Sequence, residues 1–378
     1  MVNWHGSKYL GALAIFAGTI IGAGIFSLPY IASKAGFLTI SVYFLVLTIL
    51  TIVIHLLLAE VSRESRKSAY IAGYAEEYLG KGWRNFSLIV FCLSLFGALL
   101  AYLILGGNFL SSYFYPRFDH QTIVFTLAFF ALGATLIYRG DKSIVKTDLL
   151  ILSILLLIIF LFFTKGIPFI NLQNLLTFNS RYLALPYGAV LFSLWGLTMV
   201  PEITELVERN RKKMLTVIIS GIVLACLCYL SFVFLILGVS GRQTSSDAIS
   251  GFAAIVGNQT VKLGFIFGFL AVFTSFIGLG LTLKKIFQLD LKLSQNASWA
   301  LTCFPPLLVY LIGVNNFIEI VSLTGAITLG LEAVIVILIY KNFLRKRFQR
   351  EAPFWIYPLA CVFLVGMALQ IFSPIIFK

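Results

Sequence analysis

Charge is what this chain has least of. Only 11% of its 378 residues are Asp, Glu, Lys or Arg, where a soluble domain carries about 25%. Histidine is rarer still. His5, His55 and His120 are scattered, with no HExxH or related cluster, so the common metallohydrolase pattern is excluded. The five cysteines, Cys92, Cys226, Cys228, Cys303 and Cys361, all fall inside apolar runs. They show neither zinc spacing nor a disulfide framework, and read as small apolar packing residues. No Walker A sequence is present, so ATP does not drive the protein directly. Paired His and acid residues at helical spacing are also missing. The expectation is a protein that is not an enzyme and holds no cofactor.

What fills the chain instead is apolar sequence, 60% of all residues. Lipid is therefore the solvent for most of it. A helix needs about 20 apolar residues to cross a bilayer core. Eleven runs qualify, near 9–35, 38–60, 84–113, 121–138, 145–164, 182–206, 213–240, 260–283, 297–313, 317–340 and 353–376. The first is too long for a cleaved signal and lacks a small-residue cleavage site, so it reads as a retained span.

The net charge of +13 looks at first like a nucleic-acid signal. Its placement argues otherwise, because the basic residues sit in short loops between apolar runs. Of the 28 Lys and Arg residues, twenty-one fall in one set of alternate loops and seven in the other. The positive-inside rule then places the N-terminus in the cytoplasm and the C-terminus outside. The expected location is the cell membrane (inner or plasma), as a multi-pass protein. Two polar loops, 62–82 inside and 241–259 outside, are long enough to include short helices.

Two spans are interrupted. The first carries "GTIIGAGIFSLPY", with Gly18, Gly22, Gly24 and Pro29. The sixth carries "LPYGAVLFSLWGLTMVPEITELVERN", with Pro186, Gly188, Gly196 and Pro201. Glycine costs a helix about 1 kcal/mol relative to alanine, and proline about 3 kcal/mol. Glycine-rich faces also serve close helix packing, so one such span alone says little. These two lie 174 residues apart from Gly22 to Gly196, five spans on, so the second set of five enters the membrane in the opposite sense. The predicted fold is an all-α membrane protein in a single transporter domain. It has an inverted five-plus-five repeat (about 9–164 and 182–340), an extra helix at about 353–376, and helices 1 and 6 broken. Paired interruptions at matching positions of two halves point to a binding site. Half-helix N-termini attract anions, and unwound carbonyls attract cations.

Taken together these stretches resemble the amino acid–polyamine–organocation superfamily, and within it the tryptophan/tyrosine permease family. "AYLILGGNFL" at Ala101–Leu110 is similar to the third span of that family, "FTSFIGLGLTL" at Phe273–Leu283 to its eighth, and "LTCFPPLLVYLIGVNNFIEIVSLTGA" at Leu301–Ala326 to its ninth and tenth. There are departures. "SLWGLTMVPEITE", with Glu202, looks closer to the broader amino acid permeases, and Lys284 and Lys285 stand where the family usually carries acidic residues.

The resemblance implies a LeuT-type fold with a substrate held between spans 1 and 6. In this reading Thr19, Gly22, Ala23 and Gly24 cradle a carboxylate, because small residues let the backbone approach closely. Ser193, Trp195, Gly196 and Thr198 face the amine and side chain, and Tyr102 closes the pocket. Trp195 and Tyr102 also read as packing aromatics. A sodium site of the same fold would use the carbonyls of Gly18, Ile21 and Ala271 with the hydroxyls of Thr274 and Ser275; such hydroxyls also commonly bond their own helix.

Relatives in the aromatic group are regarded as proton-coupled, and some relatives place a span-5 lysine at the sodium position. Span 5 here has lysines only at its ends, Lys146 and Lys165. Proton-relay candidates are Glu332, deep in span 10, Glu202 and His55. The expected function is secondary active transport of a neutral, possibly aromatic, amino acid by alternating access, coupled to a proton or sodium. A passive facilitator on the same scaffold and an amino acid exchanger are the alternatives. The partners are a small-molecule substrate and the bilayer, with no nucleic acid and no obligate protein partner.

Overall fold

A computed structural model describes residues 4–65, 71–114, 122–140 and 148–372. Helices stand at all eleven predicted spans. The first is the pair α1 (Trp4–Ile20) and α2 (Gly24–Ala35). Then follow α3 (Phe37–Glu64), α4 (Ile71–Leu79), α5 (Lys81–Phe114), α6 (Thr122–Arg139) and α7 (Asp148–Gly166). The sixth span is α8 (Pro186–Leu194) and α9 (Val200–Leu206). Beyond it come α10 (Arg211–Ser240), α11 (Ile249–Val256), α12 (Asn258–Leu289) and α13 (Gln295–Leu311). Span 10 is α14 (Phe317–Leu323) and α15 (Gly330–Phe348), and the chain ends in α16 (Ile356–Phe372).

Among the described residues, seven helical stretches are long and apolar enough to cross a membrane, and the bent pair α1–α2 makes an eighth. The apolar stretch Leu156–Phe169 in the fifth span and α16 in the eleventh are shorter, and α13 has only 17 residues. The 62–82 loop does contain a short helix, α4, and the 241–259 loop another, α11. Residues 66–70 of the first loop, and the basic residues Arg66, Lys67, Arg117, Lys142, Lys146 and Lys378, lie outside the described residues.

The breaks follow from the backbone. The α1–α2 pair bends by 50°. After Ile20 the hydrogen-bond pattern tightens, with Gly22 N–H donating to the Ile20 carbonyl at 2.8 Å. In span 6, Trp195 is extended and Gly196 follows at φ −135°, before a single 3-10 turn at Leu197–Met199. Pro201 then sits in the first turn of α9, where its missing N–H costs nothing.

Span 10 carries a break that was not predicted. Between α14 and α15 the chain forms a π turn, Thr324–Leu329. Such turns are rare inside helices and often occur at functional sites. Glycines on α5 and on the turn itself let it sit close. A Cβ on Gly97 of α5 would strike Thr324, and one on Gly325 would strike the Gly188 carbonyl of α8.

At one end of the bundle, polar contacts tie the helices together. Lys284 of α12, one of the two departures from the family pattern, is buried. Its ammonium donates at 2.8 Å to the carbonyls of both Ile137 and Tyr138, satisfying the last turn of α6. Arg84 of α5 pairs with Glu76 of α4 at 3.2 Å and donates to the Asp290 carbonyl beyond α12. Burial raises the pKa of Asp290 above the usual carboxylate range, with Arg84 pulling the other way. Arg209, after α9, donates at 2.7 Å to the carbonyl of Ser65, at the end of α3.

Candidate functional site

The two broken spans meet where both are unwound. Gly24, the first residue of α2, lies against Ser193 of α8. A Cβ at Gly24 would come within 2.9 Å of the Ser193 Cα, so only glycine allows this approach.

A buried hydroxyl from α10 joins the same two elements. The Tyr229 oxygen is 2.7 Å from the Ile20 carbonyl, which ends α1, and 2.9 Å from the Ser193 carbonyl, near the end of α8. One O–H proton serves two acceptors at the breaks, and the Ile20 carbonyl also takes the Gly22 N–H. Backbone groups cannot be left unpaired in hydrocarbon, so this phenol is part of what permits the interruptions.

His55 of α3 does the corresponding work for span 6. Its Nδ1 is 2.8 Å from the Thr51 carbonyl, and its Nε2 accepts from the Gly196 N–H at 3.1 Å. A nitrogen facing a carbonyl must carry the hydrogen. The ring is therefore the neutral Nδ1–H tautomer, with its remaining lone pair on Gly196.

Between these elements lies a small cavity. Of the sequence-derived substrate residues, Thr19, Gly22, Gly24, Tyr102, Ser193, Trp195 and Thr198 line it, and so does Glu332. Ala23 and Gly196 do not. Ala23 is fully buried, and Gly196 packs against Ile20 and Phe16. Gly22 faces the polar part of the cavity, where a Cβ would lie 3.5 Å from the Tyr102 hydroxyl and 3.6 Å from Ser275 Oγ. Thr19 Oγ1 and Ser193 Oγ each donate to their own helices at 2.8 Å, to Ile15 and Ala189. Their lone pairs remain available as acceptors.

The candidate ion ligands are only partly brought together. Ser275 approaches the span-1 break through Gly22, but both proposed hydroxyls bond within α12. Ser275 Oγ donates to Ala271 at 2.9 Å, and Thr274 Oγ1 lies 3.1 Å from Leu270 and 3.2 Å from Ala271. Ile21 is buried, with its N–H on the Ala17 carbonyl, and Gly18 lies in the last turn of α1. Glu202 is exposed in the first turn of α9, outside the cavity lining.

Glu332 is the exception among the carboxylates. It is 1% exposed. Oε2 accepts from Trp195 Nε1 at 2.8 Å, and Oε1 lies 2.5 Å from Ser94 Oγ. Among the described residues it forms no ion pair.

Tyr229, Ser94 and the wall residues Phe192, Leu279 and Leu329 were absent from the sequence reading. Tyr229 carried a usable signal, as a lone phenol inside the apolar "LACLCYLSFV", since a buried tyrosine hydroxyl normally has a partner. Ser94 carried none, because a serine in an apolar helix usually bonds its own backbone.

With this geometry in hand, comparison with known proteins is informative. A sequence profile of the tryptophan/tyrosine permease family matches residues 5–376. Glutamine transporter 2 of Aliivibrio fischeri is 24% identical over 91% of each chain. The tyrosine-specific transport system 1 of Haemophilus influenzae is 25% identical over 84% of each. The low affinity tryptophan permease of Proteus vulgaris is 28% identical over 86% of this chain and 84% of its own. Among solved structures, MhsT in complex with L-phenylalanine superposes with a TM-score of 0.63 at 15% identity, covering 96% of this chain and 98% of its own. Mhp1, a nucleobase-cation-symport-1 family transporter in a closed conformation with bromovinylhydantoin bound, gives 0.66 at 12% identity, covering 97% and 90%. At these identities the two structures speak for the fold alone.

Proposed function

Because the chain belongs to the tryptophan/tyrosine permease family, we propose that it carries a neutral amino acid across the membrane by alternating access around the two breaks, coupled to the movement of a cation. The observation that carries this reading is the junction itself. Span 1 and span 6 are both unwound at the wall of one cavity, and a single phenol, Tyr229, holds the Ile20 and Ser193 carbonyls beside the breaks.

The chemistry follows from what the walls offer. The head of α2 presents partial positive charge, suited to a carboxylate, although its Ile25 and Phe26 N–H groups bond the Gly22 and Ala23 carbonyls. The Thr19 and Ser193 hydroxyl lone pairs and the Glu332 carboxyl are acceptors, suited to an ammonium group. Leu95, Ala98, Phe192 and Leu279 supply apolar wall for a side chain. The close seating of Gly24 on Ser193 means that a rotation of one broken helix must be felt by the other. The five-plus-five inverted repeat gives such a rotation two symmetry-related end states. The N-terminus is read as cytoplasmic, from the basic loops.

The relatives' names cover glutamine, tyrosine and tryptophan, which keeps the substrate class at neutral amino acids. The test is uptake of labelled amino acids into proteoliposomes of the purified protein, under imposed pH or sodium gradients. Accumulation of a neutral amino acid above its external concentration supports the reading. Downhill flux alone would make the protein a facilitator, and exchange alone an exchanger. No flux of any amino acid would overturn it.

A further inference from the structure

We propose that Glu332 carries the coupling proton, taking it up and releasing it within a hydrogen-bond relay formed with Ser94 and Trp195. The inference rests on the transport reading above and deepens it by naming the ion and the residue.

The relay can be worked out atom by atom. Ser94 Oγ lies 2.9 Å from the Phe91 carbonyl and 2.5 Å from Glu332 Oε1. A serine hydroxyl has one proton and two lone pairs. When Glu332 is a carboxylic acid, its Oε1–H donates to Ser94 Oγ, and the serine proton goes to Phe91. When Glu332 is a carboxylate, the serine proton swings from Phe91 to Oε1. The Phe91 carbonyl lies inside α5, so it keeps its helix partner in either case. Trp195 Nε1, which can only donate, holds Oε2 throughout. Both protonation states are thus hydrogen-bonded, as a carboxyl that must gain and lose a proton in every cycle requires. The bookkeeping is one O–H bond formed from water on one side of the membrane and broken to water on the other.

The surroundings favour the same role. A buried carboxylate with only neutral donors is costly in hydrocarbon, and intramembrane acids are functional by default. Tyr102 of α5 lines the same cavity, and His55 of α3 sits behind Trp195, with ring centroids 5.5 Å apart and both nitrogens engaged. Tyr187 of α8, Tyr74 and Tyr78 of α4 and Tyr357 of α16 are phenols, and the Arg63 and Arg84 ion pairs lie at the helix ends. Two placements connect the carboxyl to the cycle. It follows directly on the π turn of span 10, and its Oε2 is tied to the break of span 6 through Trp195. A movement of that break which withdraws Trp195 removes a donor from the carboxylate and shifts the proton balance. Proton affinity and conformation are thereby linked.

The experiment uses the full-length protein, purified and reconstituted. Infrared spectra are recorded across pH for the wild type and Glu332→Gln, and amino acid accumulation is measured under an imposed pH gradient. One proton per substrate with a one-unit pH gradient supports about a tenfold concentration ratio. The wild type is expected to reach that ratio and Glu332→Gln a ratio near one. The wild type should also show a titrating carboxylic-acid carbonyl band that the variant lacks. Gradient-driven accumulation that survives in Glu332→Gln, or a wild type without that band, would overturn the proposal. If the wild type transports nothing, the transport reading fails, and the band still decides whether Glu332 holds a proton. Should Glu332→Gln not fold, Glu332→Asp takes its place: coupling with a displaced pH midpoint is expected, and an unchanged midpoint overturns the proposal.

Discussion

The Tyr229 hydroxyl lies 2.7 Å from the carbonyl of Ile20, at the point where α1 stops. The same oxygen reaches Ser193 in the other broken span. Tyr229→Phe removes the hydroxyl and keeps the ring, so packing is conserved while the Ser193 carbonyl loses this donor and the Ile20 carbonyl keeps only the Gly22 N–H. Leaving a buried polar group unsatisfied costs about 1–3 kcal/mol. The expected outcome is a lower melting temperature in detergent and a weakened substrate response, measured as ligand-induced thermal stabilisation. A variant with wild-type melting and wild-type ligand response would show that the clasp is dispensable.

Gly22 and Gly24 are two residues apart and face different surroundings. At Gly24 a methyl group collides with Ser193, and part of what it meets is backbone. At Gly22 a methyl group meets Tyr102 and Ser275 at ordinary contact distances, 3.5 and 3.6 Å. Gly24→Ala should therefore separate the two broken helices, lowering both stability and substrate binding. Gly22→Ala should fold normally and lose binding only, because it fills cavity rather than forcing helices apart. A thermal-shift comparison of the two variants, with and without substrate, checks the contrast. Equal melting temperatures would refute the packing difference.

Much of the fold could be read from the sequence because lipid imposes a simple rule: long apolar runs become membrane-length helices. The glycines and prolines of "GTIIGAGIFSLPY" and "SLWGLTMVPE" marked the two breaks, and most residues named there do line one cavity. The misses have physical causes. Ala23 and Gly196 lie within the breaks but face packing, since periodicity gives no direction once a helix unwinds. The π turn at Thr324–Leu329 left no signature, because its one inserted residue is invisible without the hydrogen bonds. Tyr229, Ser94 and Lys284 depend on partners 36 to 238 residues away, a separation no local pattern encodes.

His55 is neutral by hydrogen-bond accounting, and both of its nitrogens are already engaged. A protonated ring would turn an N–H toward the N–H of Gly196. His55→Leu should therefore destabilise the protein by about 1–3 kcal/mol, the usual cost of an orphaned buried donor or acceptor. His55→Gln keeps a donor and an acceptor on one side chain and should recover part of that loss. Transport by His55→Gln should keep the wild-type pH profile. A displaced profile would mean that His55 itself titrates during the cycle, and would return it to the relay.

The remaining candidate for the coupling ion is sodium at the carbonyls of Gly18, Ile21 and Ala271 with the hydroxyls of Thr274 and Ser275. Hydroxyls that donate to their own helix can still offer lone pairs to a cation, so their bonds to Leu270 and Ala271 do not exclude it. The ligand set, however, is neutral throughout, whereas a carboxyl faces the cavity at Glu332. If the proton is the coupling ion, the melting temperature should be the same in sodium and in an organic cation at equal ionic strength, and Thr274→Ala should leave accumulation unchanged. A ligand that binds only the native state raises its stability by mass action. A sodium-specific rise in melting temperature that disappears in Ser275→Ala would therefore place the ion at the span-1 break, and accumulation driven by sodium alone would remove Glu332 from the coupling step.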